Sequence, residues 1–192
     1  MTIAGILVLS YLLGSIPNGL IFGQLIWHKD LRNFGSGNIG ATNAWRVIGK
    51  PAGFLIFFLD FFKGALSVYL AEKFLNEPTL FILAGLFAII GHSFSIFLKF
   101  HGGKGVATGL GVIAMLMPKT TIIVFLVWLA IVYFTRYVSL GSTVAAALVP
   151  IFAWIFDSPR EFIIFGVIIA IFIIIRHKSN IVRLLNGTEN KV

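Results

Sequence analysis

The chain has 192 residues, of which 58% are hydrophobic and 11% charged, and its mean hydropathy is +0.99. A soluble domain carries roughly 25% charged residues, so this composition excludes an ordinary water-soluble domain and predicts an integral membrane protein. The absence of cysteine excludes a thiol nucleophile, a thiolate metal site and a disulfide. The net charge of +8 does not point to nucleic acid, because the distribution of charge matters more than its sum in so apolar a chain.

Seven apolar stretches, rich in Leu, Ile, Phe and Val, predict membrane-spanning helices. They lie at about 3–25, 52–71, 79–98, 106–117, 120–134, 138–156 and 160–175. The first lacks the basic start and cleavage site of a signal peptide, so we expect it to be retained. The predicted fold is an all-α integral membrane protein, a bundle of seven transmembrane helices, two of them short, forming a single domain over residues 1–192.

The region 106–134 could form one kinked span or two short ones, because Pro118 and Lys119 interrupt it. A single helix over the whole region would be about 43 Å long, against about 30 Å of hydrocarbon. We therefore predict two short helices here.

The basic residues indicate the orientation of the chain. With seven spans, eleven of them fall on one side of the membrane and three on the other, and Lys63 lies within the second span. The positive-inside rule then puts the N-terminus outside and the C-terminus in the cytoplasm. Three polar, basic segments, 33–50, 99–111 and 176–191, all fall on the cytoplasmic side.

Polar residues within the apolar stretches favour structural roles. Residues 14–19 combine Gly, Ser, Pro and Asn, which predicts a kink with small residues for close helix packing. Asp60 and Lys63 are three residues apart in the second span, and unpaired charges there are costly, so we predict an ion pair. His92, near the inner end of the third span, is interpreted as a hydrogen-bonded packing residue.

The segment 33–50 has the composition of an anion-binding loop. Glycines expose backbone N–H groups and allow the chain to fold around a small anion, and Arg46 is a forked donor for a phosphate. The Gly spacing matches a dinucleotide fingerprint, but no strand precedes it, so we reject a Rossmann site. A flexible polar linker is the alternative. The polar or glycine residues concerned are Gly35, Ser36, Gly37, Asn38, Gly40, Thr42 and Asn43.

The other two cytoplasmic segments also offer groups to a phosphate. Residues 102–105 partly match a Walker A loop, but Leu98 and Gly105 replace residues that it requires, so only the loop amides and Lys104 remain. In the third segment, His177 and Asn180 share a face if the last span continues as a helix. The alternative for its basic residues is attraction to acidic lipid headgroups.

These three segments carry a family resemblance. GSGNIGATNAWRVIGK at 35–50, FHGGKGVAT at 100–108 and RHKSNIVRLLNGTE at 176–189 closely resemble the three cytoplasmic motifs of the bacterial acyl-phosphate-dependent glycerol-3-phosphate acyltransferases. The run YLLGSIP at 11–17 fits as well, so the resemblance covers essentially the whole chain. It implies acyl transfer from acyl phosphate to the sn-1 hydroxyl of glycerol 3-phosphate, giving lysophosphatidate and phosphate for phospholipid biosynthesis. It also implies the bacterial cytoplasmic (inner) membrane, with the active site facing the cytoplasm.

The resemblance further implies roles for individual residues. The catalytic residues would be Ser36, Arg46, His177 and Asn180. The substrate-binding residues would be Gly35, Gly37, Asn38, Gly40, Thr42, Asn43, Gly103, Lys104 and Gly105, while Glu189 would be structural. The sparse acidic residues form no metal cluster, and neither a metal nor a cofactor is expected. The expected partners are the two substrates and membrane lipid, without nucleic acid; the oligomeric state stays open, with a monomer as the default.

The chemistry of an acyl phosphate suggests a mechanism. Its leaving group is already good, so alignment and charge stabilisation matter more than a strong nucleophile. We expect loop 35–43 to hold the acyl phosphate, Lys104, Asn180 and Arg46 to hold glycerol 3-phosphate, and an apolar groove to hold the acyl chain. His177 is one candidate general base; a substrate phosphate, with a second pKa of about 6, is the one we favour. A covalent acyl-Ser36 is disfavoured, because no acidic partner for a Ser-His pair is apparent.

A transporter of a phosphate-bearing solute is the alternative function. The Pro17 break and the intramembrane charges of Asp60 and Lys63 favour it, but the polar residues cluster at one face instead of the midplane and no internal repeat is visible. A purely structural scaffold would leave the three loops unexplained.

Overall fold

The computed structural model describes residues 2–192 and is all-helical over that range, with no β-strand. This confirms the all-α part of the predicted fold. The described residues form ten α-helices: α1 (Ile3–Ser15), α2 (Asn18–Trp27), α3 (Ala41–Val47), α4 (Lys50–Phe74), α5 (Pro78–Ser93), α6 (Val106–Leu116), α7 (Pro118–Thr135), α8 (Val138–Ile155), α9 (Arg160–Arg176) and α10 (Lys178–Leu185). The chain divides into two compact units, one ending at Met115 and the other covering Leu116–Val192.

Four to six segments of the described chain can cross a membrane by length and composition. Four are α4, α5 with the short 3-10 turn that follows it, α7 and α8. Two more are bent pairs: α1 and α2 meet at 41°, and α9 and α10 at 61°. The remaining apolar helix, α6, has 11 residues and is about 16 Å long, less than the hydrocarbon thickness of about 30 Å.

The predicted division of the region 106–134 is confirmed. Helix α6 ends at Leu116 and α7 begins at Pro118. Proline is favoured at a first helical position because the N–H that it lacks would have no helical partner there. The same residue therefore ends one helix and starts the next.

In the first unit, small residues let α1 pack closely on α5. A Cβ added at Gly14 would overlap the Ala88 carbonyl, and one added at Gly91 would overlap the Tyr11 carbonyl. This confirms the close packing predicted for the first break. The break also leaves the Ile16 carbonyl outside any helix, and Lys63 Nζ donates to its oxygen at 2.9 Å.

Asp60 and Lys63 form the predicted ion pair, with Lys63 Nζ 2.9 Å from Asp60 Oδ1. Asn18 Nδ2 donates to the same oxygen at 2.9 Å, and His92 Nδ1 lies 3.7 Å from it. All four side chains are buried. Buried charges are tolerated when they are paired and hydrogen-bonded, and this cluster meets that condition.

A small apolar cluster fastens the first polar loop, residues 31–40, to α4. It consists of the buried residues Leu31, Ala44, Ala52 and Ile56. Leu31 starts the loop with a 3-10 turn, Ala44 belongs to α3, and the other two belong to α4. Both ends of the loop are therefore anchored on α4, which fixes its position at the end of that helix.

The second unit packs α7 against α8 and α8 against α9, with α10 resting on both α8 and α9. Large apolar side chains point outward from α7, where Tyr133 and Phe134 are 80% and 81% exposed. Such a surface is compatible with lipid rather than water. The C-terminal tail returns to the unit, where Val192 N donates to the Arg136 carbonyl at 3.1 Å.

Candidate active site

The first polar loop, residues 31–40, is organised by the side chain of Asn43. Its Oδ1 accepts from the Ser36 amide at 2.9 Å. Its Nδ2 lies within hydrogen-bond distance of three loop carbonyls, those of Leu31, Phe34 and Asn38, at 3.0, 3.0 and 2.8 Å. Asn43 is only 2% exposed. A short amide side chain can substitute for backbone pairing in a loop, and here one residue supports both sides of the turn.

Two glycines of this loop adopt left-handed backbone conformations, Gly35 with φ +61° and Gly37 with φ +68°. A Cβ at Gly35 would also overlap Asn43 Oδ1. Only glycine meets both conditions at low cost. The Gly-rich composition therefore serves the fold of the loop, whatever it binds.

The loop presents a hydroxyl and a guanidinium at accessible positions. Ser36 is exposed, while Thr42 and Arg46 are half-buried on α3. Lys29 Nζ donates to the Val47 carbonyl at the end of α3, at 3.1 Å, which supports the helix that carries Arg46. Thr42 and Arg46 are four residues apart on α3 and therefore share a face, and a hydroxyl with an arginine is a suitable donor set for a phosphate.

Several backbone amides of the predicted anion cradle donate within the protein. The Gly37 amide donates to the Phe34 carbonyl at 3.0 Å, and the Gly40 amide donates to Asn38 Oδ1 at 2.8 Å. The Ser36 amide also donates to Asn43. Several of the loop's backbone donors therefore stabilise the loop itself. A bound phosphate would therefore rely largely on side-chain donors.

The second polar segment, residues 99–105, is called the glycine loop below. Its Gly103 and Gly105 are buried and Lys104 is half-buried. The Gly102 amide donates to the Ser93 carbonyl at 3.1 Å and the Gly103 amide to the His92 carbonyl at 3.0 Å. The loop thus runs back along the end of α5 and delivers Lys104 just before α6 begins.

In the second unit, the last span bends. The sequence predicts a shared face for His177 and Asn180 only if this span continues as one helix. Helix α9 ends at Arg176, α10 begins at Lys178, and the two meet at 61° around His177. His177 is 3% exposed and its Nδ1 lies 2.8 Å from the Ile173 carbonyl. Because a carbonyl can only accept, Nδ1 carries the proton and Nε2 is the acceptor of the neutral ring.

Asn180 is joined to a buried carboxylate in the same unit. Its Nδ2 donates to Glu189 Oε1 at 2.6 Å, and Ser139 Oγ donates to the same oxygen at 2.9 Å. Arg183 Nε pairs with Glu189 Oε2 at 2.7 Å. Burial opposes ionisation of Glu189, but these hydrogen bonds and the arginine charge outweigh it, so the pKa of the carboxyl lies below its ordinary value.

Sequence reasoning did not identify two of these contacts. It did not connect His92 with the glycine loop, because the contact depends on how the loop folds back on α5. It also missed Ser139 as a partner of Glu189, since a serine at the start of an apolar helix gives no distinguishing signal. The structure otherwise brings Ser36, Asn38 and Gly40 into one loop that the side chain of Asn43 supports from α3.

The fold and these polar segments define a helical integral membrane protein whose polar loops carry hydroxyl, amide and basic side chains. Comparison with known proteins narrows this class. The family model described as glycerol-3-phosphate acyltransferase matches residues 4–187. The glycerol-3-phosphate acyltransferase of Fusobacterium nucleatum subsp. nucleatum is 45% identical over 185 residues, which are 96% of this chain and 95% of the relative.

Solved structures agree with this family. The crystal structure of PlsY, an integral membrane glycerol 3-phosphate acyltransferase, in its glycerol 3-phosphate form, matches with a TM-score of 0.94 at 41% identity, covering 99% of this chain and 95% of that one. Its lysophosphatidic acid form matches with a TM-score of 0.90 at 38% identity, covering 98% and 94%. The chain belongs to the glycerol-3-phosphate acyltransferase family, and it is an integral membrane acyltransferase of lipid biosynthesis. This favours an enzyme over the transporter considered above.

Proposed function

We propose that this protein transfers a fatty acyl chain from acyl phosphate to the sn-1 hydroxyl of glycerol 3-phosphate. The hydroxyl oxygen attacks the acyl carbonyl carbon, the bond from that carbon to the phosphate oxygen breaks, and the hydroxyl proton leaves with the phosphate. The products are lysophosphatidate and inorganic phosphate. The observation that carries the proposal is the match over 99% of the chain to an acyltransferase solved with glycerol 3-phosphate; the lysophosphatidic acid form of that enzyme supports the product.

The donor is proposed on the chemistry of the chain and on the resemblance of its motifs. A mixed anhydride needs alignment and charge neutralisation more than a covalent intermediate. The first polar loop offers the exposed hydroxyl of Ser36, α3 offers Arg46, and the described chain has no cysteine for a thioester intermediate. We assign Ser36, Thr42 and Asn38, with Gly35, Gly37, Gly40 and Asn43 shaping the loop, to the acyl phosphate.

The acceptor is assigned to other groups. We propose that Lys104, supported by Gly103 and Gly105, and Arg46 neutralise the phosphate of glycerol 3-phosphate, and that Asn180 contributes to the same role. Replacing Arg46 by Lys keeps the charge but loses the planar fork. Because each bidentate contact is worth more than a single one, we expect kcat/KM to fall at least about tenfold, a loss equivalent to 1.4 kcal/mol.

His177 is proposed to orient the attacking hydroxyl while a substrate phosphate takes the proton. Its Nδ1–H is held by the Ile173 carbonyl, which directs Nε2 to accept a hydrogen bond. His177→Gln offers an acceptor but no base near neutral pH. If this variant keeps most of its kcat at saturating substrate, the phosphate is the base; if kcat is lost while the fold is intact, His177 is the base.

The proposal is tested with purified protein in detergent or vesicles. Acyl phosphate and glycerol 3-phosphate are supplied, and lysophosphatidate and phosphate are measured. Formation of both products in equal amounts supports the proposal. Turnover with an acyl thioester but not with acyl phosphate would overturn the donor assignment, and trapping of an acylated Ser36 would overturn direct transfer.

We also propose a seven-span topology in the bacterial cytoplasmic membrane, with the N-terminus outside, the C-terminus and the polar loops in the cytoplasm, and the whole chain acting as one domain. The short α6 is the one proposed span whose length falls well below the hydrocarbon thickness. The glycine loop is partly buried and folds back along α5, and buried non-helical backbone is tolerated at membrane depth. This lets α6 begin below the membrane surface, so that it has less of the hydrocarbon to cross.

A further inference from the structure

The ring of His92 lies between the buried charge cluster and the glycine loop. On one side, His92 Nδ1 is 3.7 Å from Asp60 Oδ1. On the other side, the ring reaches Gly103 so closely that a Cβ added there would overlap Nε2. His92 is 5% exposed, so the ring has little room to turn away.

The ring is fixed from the side of the charge cluster. Asp60 Oδ1 already receives Lys63 Nζ at 2.9 Å and Asn18 Nδ2 at 2.9 Å. Lys63 in turn donates to the Ile16 carbonyl. Asp60 is therefore held by Asn18 of α2 and Lys63 of α4, and Lys63 is itself held by the carbonyl at the break after α1, so the imidazole rests on a rigid support.

The glycine loop is fixed from the opposite side. The Gly103 amide donates to the backbone carbonyl of His92 itself, at 3.0 Å, and the Gly102 amide donates to the carbonyl of Ser93. The backbone of His92 thus holds the loop while its ring sets how closely the loop can approach. Lys104 follows Gly103 directly, so the position of Lys104 depends on the distance between Gly103 and the His92 ring.

We propose that His92 is a positioning residue that places Lys104 for glycerol 3-phosphate, and that Gly103 is glycine because the His92 ring occupies the space of a side chain. This inference rests on the proposed role of the glycine loop in binding glycerol 3-phosphate. It assigns a function to the buried charge cluster, which supports the His92 ring on the side opposite the glycine loop. His92 itself touches no substrate.

The test exploits the difference between two neighbouring glycines. A Cβ at Gly103 would overlap the His92 side chain, whereas a Cβ at Gly102 would overlap the His92 backbone carbonyl. Removing the ring with His92→Ala makes room for the first methyl group but not for the second. The two glycine variants are therefore a matched pair in the same loop.

We expect Gly103→Ala to raise KM for glycerol 3-phosphate about tenfold or more, with less effect on KM for acyl phosphate. Adding His92→Ala should lower that KM again, while the same addition to Gly102→Ala should bring no recovery. His92→Ala alone should raise KM for glycerol 3-phosphate more than it lowers kcat. Lys119→Ala, at an exposed residue near the start of α7 and outside the three polar segments, is the control and should match the unmodified protein.

Lys104→Ala separates the two levels of the argument. If it leaves KM for glycerol 3-phosphate unchanged, the proposed role of the glycine loop fails, and this inference falls with it. If Lys104→Ala raises KM but His92→Ala rescues neither or both glycine variants equally, the loop binds the substrate and the positioning role is wrong. Thermal unfolding of each variant in detergent identifies any variant that fails to fold, and His92→Asn, which keeps a polar group in less volume, then replaces His92→Ala.

Discussion

Asn43 holds Ser36 in place: its Oδ1 accepts from the Ser36 amide at 2.9 Å, while its Nδ2 faces three carbonyls of the same loop. The hydroxyl proposed to meet the acyl phosphate therefore depends on a buried amide seven positions along the chain. Sequence analysis placed Asn43 among the substrate-binding residues, which stays a prediction. The geometry gives it a clear second task, the support of the loop.

Asn43→Asp tests that task. The change keeps the size of the side chain and an acceptor for the Ser36 amide, but it replaces the amide nitrogen that faces three carbonyls with an oxygen that repels them. Leaving such groups unpaired costs about 1–3 kcal/mol each, so we expect kcat/KM to fall at least about tenfold. The loop should also open to trypsin at Arg32, whose side chain is 51% exposed.

Asn43→Ala is the companion variant, since it removes the amide without adding a charge. We expect trypsin to cleave the loop of Asn43→Ala as readily as that of Asn43→Asp. The activity of Asn43→Ala should be no lower than that of Asn43→Asp. Full activity of either variant, with an unchanged digestion pattern, would show that the loop holds its shape without Asn43.

Gly35→Ala should be far more damaging than Gly187→Ala, although both glycines have positive φ, +61° and +68°. A Cβ at Gly35 would overlap Asn43 Oδ1, whereas one at Gly187 meets nothing within 4 Å. Gly187→Ala therefore carries only the backbone cost, about 1 kcal/mol, while Gly35→Ala also displaces Asn43. Thermal unfolding and the acyltransferase assay measure the two effects, and equal losses in both variants would contradict this account.

Much of the fold could be predicted because one physical rule dominates it. In hydrocarbon every backbone group must be paired within its own segment, so long apolar stretches become helices, and their approximate limits follow from hydropathy. The Asp60–Lys63 pair could be predicted because unpaired charges are also costly in hydrocarbon. Charges three residues apart on a helix can neutralise each other. Pro17 likewise marked the first break.

The rest could not be predicted, because it depends on contacts that leave no local signal. The bend at His177 has neither proline nor glycine beside it, so the last span looked continuous. Asn43 could equally have been a ligand or a loop support, since asparagine is common in both settings. The role of the Gly102 and Gly103 amides became clear only once the loop was seen to pair with His92 and Ser93 on α5.

The topology can be mapped directly, because the chain contains no cysteine. Single cysteines at Glu77, Lys119 and Asn186, which are all exposed, are treated in intact cells with a thiol reagent that cannot cross the inner membrane. The seven-span proposal expects labelling at positions 77 and 119 and protection at 186. Position 119 decides whether α6 crosses: protection there, with labelling at 77, would leave α6 as a re-entrant helix and remove the seventh span.

Protonation of Glu189 should make the protein less stable in acid. Its pKa is lowered in the folded state, because the hydrogen bonds from Asn180, Arg183 and Ser139 outweigh the effect of burial. A group with a depressed pKa stabilises the fold above its unfolded pKa of about 4.3, and this stabilisation is lost as the pH falls through the lower folded value. Glu189→Gln, which keeps the shape but not the charge, should cost about 1–3 kcal/mol near pH 7.

The same variant gives the sign of the effect. Unfolding temperatures of the unmodified protein and Glu189→Gln, measured in detergent at a series of pH values, should differ most near neutrality and converge as the pH falls below 4.3. At neutral pH the unmodified protein gains from the charge that Arg183 and Asn180 hold; once Glu189 is protonated, both proteins carry an uncharged side chain at this position. A difference that stayed constant over the whole range would mean that the charge contributes nothing and that the loss comes from packing alone.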